Sequence, residues 1–404
     1  MGKTVCLIGT FDTKGLEFQF LKNQIESEGI STLTINAGIL SEPLLKPDIS
    51  AEDLARASGT SLDELRQEAD RGNSIATMAE GAAKIVTQLW DEKKINSIIS
   101  LGGSAGTTIA TTAMRTLPVG TPKVMVSTLA SGDTSPYVGT KDITMVYSVV
   151  DIAGINSISR QILTNAANAI VGMTTKELQL TNQGDKPLIA TTMFGVTTPC
   201  VTKARETLEK NGYEVLVFHA TGTGGRAMED LIRSGFIAGV LDATTTELAD
   251  ELVGGILSAG PHRLEAAGEV GIPQVIAPGA LDMVNFAGPN TIPEKFQDRT
   301  FYQHNPTVTL MRTTVEENAK LGEIMAKKLN RAKSPTTIVI PSKGVSAIDK
   351  DGQPFHDPEA IQAWTKSLQS NLDQKVNLIE TQSHINDDEF AEKLAITLLK
   401  KLKH

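Results

Sequence analysis

The chain has 404 residues, 40% of them hydrophobic and 21% charged, with a formal net charge of −9 at pH 7. That length is long for one core and predicts two domains; the acidity argues against generic nucleic-acid binding, which needs a basic footprint. No apolar run reaches the roughly 20 residues of a membrane span, and the start MGKTVCLIGTF has no signal-peptide pattern. The 2 cysteines, Cys6 and Cys200, cannot form a disulfide framework or a cysteine-rich zinc site, so a cytoplasmic protein is expected.

From the N-terminus, KTVCLIG predicts a strand and TFDTKG a turn. A helix follows with Leu16, Phe20, Leu21 and Ile25 on one side, and Gly29 ends it before the strand STLTINAG. LSEPLLKPDISAEDLARASG reads as a loop with short helices, Asn73 to Trp90 as a helix, and NSIISLGG as a third strand. The second half repeats the plan. KPLIATT is a strand, MFGVTTP a turn, and Val201, Ala204 and Leu208 mark a helix that Gly212 ends before YEVLVFHATG. Lys3 stands as far from Gly29 as Lys186 from Gly212, and a third strand, FIAGVLD, follows in turn. PQVIAP is a further strand, and the tail from Ala360 is mainly helical around an edge or late strand, KVNLIETQ. Strands alternating with helices predict an α/β fold with mainly parallel sheets and helices on both faces. The polar stretch TNQGDKP divides the chain into domains 1–182 and 183–404.

In such sheets ligands sit beyond the carboxyl ends of the strands, where helix N-termini present unpaired N–H groups. The first half offers the turn Asp12-Thr13-Lys14 and the loop Gly102-Gly103-Ser104-Ala105-Gly106-Thr107. Small residues admit the backbone to a phosphate, Lys14 brings a charge, and Thr13, Ser104 and Thr107 bring hydroxyls. Neither turn is a Walker A motif, and glycines after strands also serve close helix packing, so residue types leave phosphate binding and packing both open. Asp12 suits magnesium or a ribose hydroxyl, or simply a turn or cap. Arg71 suits a phosphate or a surface ion pair.

GTFDTKGLE, LGGSAGTT, FHATGTGGRAMEDL, PGALDMVNF and SHIND, in that order, resemble one family along essentially the whole chain. It is a bacterial and plant family that includes the ATP-binding domain of the tomato mosaic virus resistance protein. The resemblance implies two Rossmann-like domains, ATP with its Mg2+ on the first, and a homodimer. It carries the family's nucleotide contacts onto Asp12, Thr13 and Lys14, onto Gly102, Gly103, Ser104, Ala105 and Gly106, and onto Arg71. The plant relative carries a further barrel domain, so activity that needs one is expected from another polypeptide.

The second half has its own glycine loop. Gly222-x-Gly224-x-x-Ala227, with Asp242 further on, outlines a dinucleotide fingerprint. Other predicted turns carry Glu247, Asp282, Asn285, His304, Arg312, Lys343 and His384. Asp242, Asp282, His384 and Lys343 are the candidate catalytic groups, with a carboxylate or His384 as general base and Arg226, Arg312 or Lys343 holding an anion. The plainer roles are helix caps for the acids, packed structural histidines, ion pairs for the arginines and an inert Cys200. No metal site of the protein's own is expected, since no histidine pair has ligand spacing. Three functions compete: an ATP-dependent enzyme acting on a small anionic substrate at an interdomain cleft, a nucleotide-gated protein-binding module without chemistry, and an NAD-dependent oxidoreductase using the Gly222 loop.

Overall fold

The computed structural model describes residues 2–176 and 186–402. The chain divides into two compact units, Met1–Thr181 and Asn182–His404. Of the predicted boundary segment, residues 181–185 lie outside the described residues.

The first unit runs β1 (Thr4–Gly9), α1 (Phe11–Ser27), β2 (Ser31–Asn36), α2 (Ala51–Ala57), α3 (Leu62–Glu68), α4 (Arg71–Asp91), β3 (Ser97–Gly102), α5 (Ser104–Thr116), β4 (Lys123–Ser127), α6 (Ser135–Val138), β5 (Thr144–Tyr147) and α7 (Ser157–Thr175). Its five strands lie in the order β2-β1-β3-β4-β5, all parallel. Strand alternation splits β1 between two helical layers. Val5 and Leu7 meet Phe18, Leu21 and Ile25 of α1 and Leu163 and Ile170 of α7. Cys6 and Ile8 meet Leu54 of α2, Met78 and Val86 of α4, and Ile109 and Ala113 of α5. This is the predicted sandwich with helices on both faces.

The second unit runs β6 (Leu188–Met193), α8 (Thr198–Lys210), β7 (Glu214–His219), α9 (Thr223–Arg233), β8 (Ile237–Thr244), α10 (Glu247–Val253), α11 (Ala266–Val270), β9 (Gln274–Gly279), β10 (Met283–Phe286), β11 (Phe301–Asn305), β12 (Val308–Arg312), α12 (Val315–Leu329), β13 (Thr336–Pro341), α13 (Pro358–Asn371), β14 (Asn377–Thr381) and α14 (Asp388–Leu402). Its main sheet is parallel in the order β14-β13-β9-β8-β6-β7. Counted from each unit's first strand, the first sheet reads 2-1-3-4-5 and the second 2-1-3-4-5-6 once the inserted hairpins are set aside. The repeated plan read from the glycine spacing is therefore a repeated topology, with the strand order reversing between β1 and β3 and again between β6 and β8.

The structure departs from the sequence expectation in two places: TFDTKG, expected as a turn, already belongs to α1 from Phe11, and the second unit holds an antiparallel sheet. PGALDMVNF, FYQHNP and VTLMRTT read as strand-end turns, but MVNF, FYQHN and VTLMR are β10, β11 and β12 of an antiparallel sheet ordered β10-β12-β11. Phe286, Met311 and Val284 from this sheet join Leu321 and Met325 of α12 and Trp364 of α13 in one core. The late segment NLIET does form an edge strand, paired to β13 alone.

Candidate functional site

In the first unit, the loops after β1 and β3 leave the sheet side by side, because these two strands are paired neighbours. Doubly wound sheets bind ligands at this kind of reversal, outside the carboxyl ends of the strands. Several long helices here begin with a capping side chain: Asp70 accepts from Asn73 N–H at α4, and Asn156 and Thr314 form capping boxes at α7 and α12. The start of α5, like those of α1, α8 and α9, has no capping side chain. Gly103 occupies the cap position with no side chain to offer, and the N–H groups of Ser104, Ala105 and Gly106 find no acceptor among the described residues. Thirteen residues of aligned peptide dipoles stand behind these donors, so the helix start attracts an anion.

The two glycines ahead of the helix divide the work. A Cβ on Gly102 would lie 3.1 Å from Gly106 Cα, so this position is closed by packing. Gly103 has room, its nearest neighbour being Thr128 Oγ1 at 3.8 Å. Thr107 is buried with Oγ1 2.7 Å from Ser127 Oγ, tying α5 to β4 rather than facing outward. Ser104 is exposed and leads the helix.

Asp12, Thr13 and Lys14, in the first turn of α1, lie beside it. Lys14 has non-helical dihedrals inside α1 (φ −126°, ψ 19°), and Thr13 and Lys14 N–H both donate to Thr10 O, at 3.3 and 2.9 Å. The Lys14 ammonium donates to Ile152 O, and no carboxylate among the described residues pairs with it. Asp12 is 8% exposed; Oδ2 accepts from Leu40 N–H at 2.9 Å and Oδ1 has no partner. Asp12 thus holds the loop after β2 against the start of α1. Arg71 opens α4, exposed and without a partner among the described residues.

In the second unit, the fingerprint-like glycines serve a different anion. Glu247 sends its own carboxylate into the loop: Oε1 accepts from Gly222 N–H at 2.7 Å and Gly225 N–H at 3.1 Å. A Cβ on Gly225 would sit 2.1 Å from Glu247 Oε2, and one on Gly224 would sit 1.9 Å from His219 O. The Gly222 and Gly225 N–H groups, which a pyrophosphate would use, are thus already bonded. Asp242, in the position of the ribose acid, accepts from Arg263 Nη1 at 2.5 Å, Arg263 Nη2 at 2.7 Å and Thr192 Oγ1 at 2.6 Å.

Sequence reasoning missed Arg263, which is 1% exposed and lies among Asp242, Glu247 at 2.6 Å and Glu229 at 3.5 Å. Burial alone would lower its pKa; Asp242 and Glu247 outweigh burial and hold it well above the usual value. Burial raises the Glu229 carboxyl, with Arg263 opposing. The signal was a lone arginine in HRLEAAG, distant in sequence from Glu229, Asp242 and Glu247, the acids it meets. Asp250 nearby is pushed up to about 7 by burial, against hydrogen bonds from Asn285.

The other candidate catalytic groups lie at the carboxyl ends of β9, β13 and β14. Asp282 is buried: Oδ2 accepts from Ser346 Oγ at 2.7 Å, while Oδ1 has no partner. Burial, then the charge of Asp349, raises its pKa to about 7. His384 is 5% exposed with both ring nitrogens engaged, Nδ1 accepting from Asn386 N–H at 3.1 Å and Nε2 lying 2.9 Å from Ser346 O. That pattern requires the neutral ring with its proton on Nε2, and burial lowers the pKa in keeping. Arg312 spends its guanidinium on Phe355 O at 2.7 Å and Asp349 at 3.7 Å. Lys343 is exposed. Cys200 is buried, and burial pushes its thiol up to about 12, which leaves it protonated and unreactive at neutral pH.

A raised carboxyl costs stability once it ionises. Asp250 carries about 7 in the fold against an ordinary 3.8, so its contribution is intact below about pH 4 and is lost as pH rises to about 7. At about 1.36 kcal/mol per pH unit the loss is roughly 4 kcal/mol. Asp250→Asn removes it, and the Asn285 amide can rotate its unpartnered Oδ1 toward the new donor. Urea unfolding at pH 4.5 and 7.5 is expected to show a smaller pH-dependent loss in the variant; an unchanged difference would refute the assignment.

Residues 3–179 match the N-terminal domain, and residues 186–402 the C-terminal domain, of the uncharacterised protein family UPF0261. The chain belongs to that family. A UPF0261 protein of Clostridium tetani is 57% identical over 404 residues, which are 100% of this chain and 98% of its own. The ToMV resistance protein Tm-1(GCR237) of Solanum lycopersicum is 43% identical over 419 residues, covering 98% of this chain and 55% of the tomato protein. Among solved structures, UDP-GlcNAc 2-epimerase of Neisseria meningitidis aligns with 98% of this UPF0261 chain and 100% of its own at 10% identity, with a TM-score of 0.23. A likeness that small carries nothing about ligands. Among the described residues of the UPF0261 chain, no helix is long and apolar enough to cross a membrane.

Proposed function

We propose that the first unit binds ATP at the carboxyl ends of β1 and β3, with the phosphates against the start of α5 and the Lys14 ammonium. The observation that carries this reading is the uncapped helix start, three backbone donors without acceptors, beside a lysine that no described carboxylate neutralises. Ser104 and Thr13 supply hydroxyls, and Arg71 is a further cation for the outer phosphates. Among the described residues no group of three or more His, Cys, Asp or Glu side chains is placed to hold a metal, so Mg2+ enters on the phosphate oxygens. The resemblance to the plant ATP-binding domain points to adenine nucleotide, to a cytoplasmic setting and to a homodimer.

Titration calorimetry with ATP, ADP and NAD, with and without Mg2+, tests the reading. Wild type is expected to bind ATP in a Mg2+-dependent way, and Lys14→Ala to bind about tenfold more weakly, the loss of one charge-assisted hydrogen bond. Absence of ATP binding under both conditions would end it.

Two forms of this reading differ in the step after binding. An ATP-dependent reaction on a small anionic substrate would draw on exposed cations of the second unit, Lys343 and Arg226. A nucleotide-gated binding module is favoured by one observation: Asp242 and His384 are buried with every polar side-chain atom committed. The tomato relative's name, a virus resistance protein, leans the same way. Tight ATP binding with no hydrolysis in the presence of added metabolites would favour the module; turnover would favour the enzyme.

A further inference from the structure

Three leucines are conspicuous among the large apolar side chains left in solvent: Leu40 at 78%, Leu44 at 64% and Leu16 at 63% exposed. They come from two separate segments, the start of α1 and the loop after β2. Isolated exposed leucines need no explanation, but these are held together on a fixed frame. Leu40 N–H donates to Asp12 Oδ2 at 2.9 Å, and Leu44 N–H donates to Phe11 O at 2.9 Å. Gly15, next to Leu16, abuts Leu44 so closely that a Cβ there would lie 2.6 Å from Leu44 Cβ. Arg66 Nε secures the far side of the loop through Ile39 O at 2.7 Å.

The frame stands on the carboxyl ends of β1 and β2. In doubly wound sheets that bind nucleotides, the phosphates take a helix start at the strand reversal and the nucleoside lies toward the end of the second strand. Here β2 adjoins β1 on the side away from β3. The carboxyl end of β2 is therefore about two strand spacings, roughly 10 Å, from that of β3, where α5 starts. That separation suits a nucleoside triphosphate laid across the strand ends. The usual acid at the end of β2 is missing. Asn36 stands there, with Oδ1 accepting from Phe11 N–H at 3.0 Å and Gly38 N–H at 2.9 Å. Recognition at this end consequently rests on apolar contact.

We propose that Leu40, Leu44 and Leu16 form the shelf on which the nucleobase of the bound nucleotide lies. This rests on the first unit binding ATP, and it adds the residues that distinguish a nucleotide from a bare polyphosphate. A flat base covering exposed leucines gains by removing apolar surface from water.

Calorimetry on the full chain with two ligands, ATP and inorganic tripolyphosphate, separates the two ideas. Leu40→Ser with Leu44→Ser is expected to weaken ATP at least tenfold and to leave tripolyphosphate within twofold of wild type. The substituted side chains are mostly in solvent, so the fold survives, and Leu40→Met with Leu44→Met is expected to restore ATP affinity. If wild type binds ATP and the serine variant binds it equally well, the shelf is wrong and the ATP site stands. The shelf is wrong too if ATP affinity holds while sedimentation shows a smaller oligomer, since a second copy then covers the leucines. If wild type binds tripolyphosphate no more weakly than ATP, the base makes no contact and the shelf is again overturned. If wild type binds neither ligand, the ATP reading itself has failed.

Discussion

Arg263→Leu is expected to unfold the second unit and to leave the first intact. The guanidinium is fully buried and serves Asp242 through both terminal nitrogens and Glu247 through Nε. Removing it strands two carboxylates that cannot reach water, with Glu229 close by. Breaking a buried pair from one side costs about 3–5 kcal/mol, a large share of the roughly 5–15 kcal/mol that holds a domain folded. Glu247 would also loosen its grip on the Gly222 loop. Arg263→Lys keeps the charge but has one nitrogen where three are used, so an intermediate loss is expected. Hydrogen exchange on the full chain in rising urea reads each unit separately. Protection should collapse at lower urea in residues 186–402 and stay put in residues 2–176; a common midpoint with wild type would sink the assignment.

How far the sequence disclosed this molecule depends on the range of the interactions concerned. Strand–glycine–helix spacing is local, and it gave away the parallel sheets and the repeated plan of the two halves, though not the order of strands within the sheets. The start of α5 was legible for the same reason, since SLGGSAGTT places strand end, turn and helix start within a few residues. The antiparallel sheet was not. FYQHN and MVNF are short, and FYQHN lacks the apolar alternation that marks a strand. Its pairing comes from β12, whose Leu310 and Met311 are buried on opposite faces in two separate clusters.

The Gly222 loop misleads for a more general reason. A glycine is required wherever an anion approaches the backbone, and the requirement is the same for a pyrophosphate and for a glutamate of the same chain. Glu247 follows Gly222 by 25 residues, so no local pattern connects them. The Arg263 cluster is built from residues at 229, 242, 247 and 263, brought together only by the packing of α9, β8 and α10. Asp242 and His384 were legible as polar residues at strand ends, and their burial was not, because the neighbours that cover them come from distant segments.

Ser104→Asp is expected to abolish ATP binding without loss of stability, a combination few other mechanisms produce. The new carboxylate would stand at the first position of α5, where a negative charge interacts favourably with the helix dipole by about 0.3–1 kcal/mol. It would also supply the acceptor that the N–H groups of this turn lack, as Glu247 does at the Gly222 loop. A phosphate arriving there meets like charge. Two unit charges about 4 Å apart near a protein surface interact by about 4 kcal/mol at an effective dielectric of about 20. Even two-thirds of that repulsion weakens binding about a hundredfold. Ser104→Ala removes only a hydroxyl and is expected to cost a few-fold. Thermal unfolding and calorimetry on the same preparations decide the matter. A melting temperature at or above wild type with ATP binding gone places the phosphates on α5. Wild-type ATP affinity in Ser104→Asp would remove the helix start from the site altogether, since a fixed anion in that seat and a bound phosphate exclude one another.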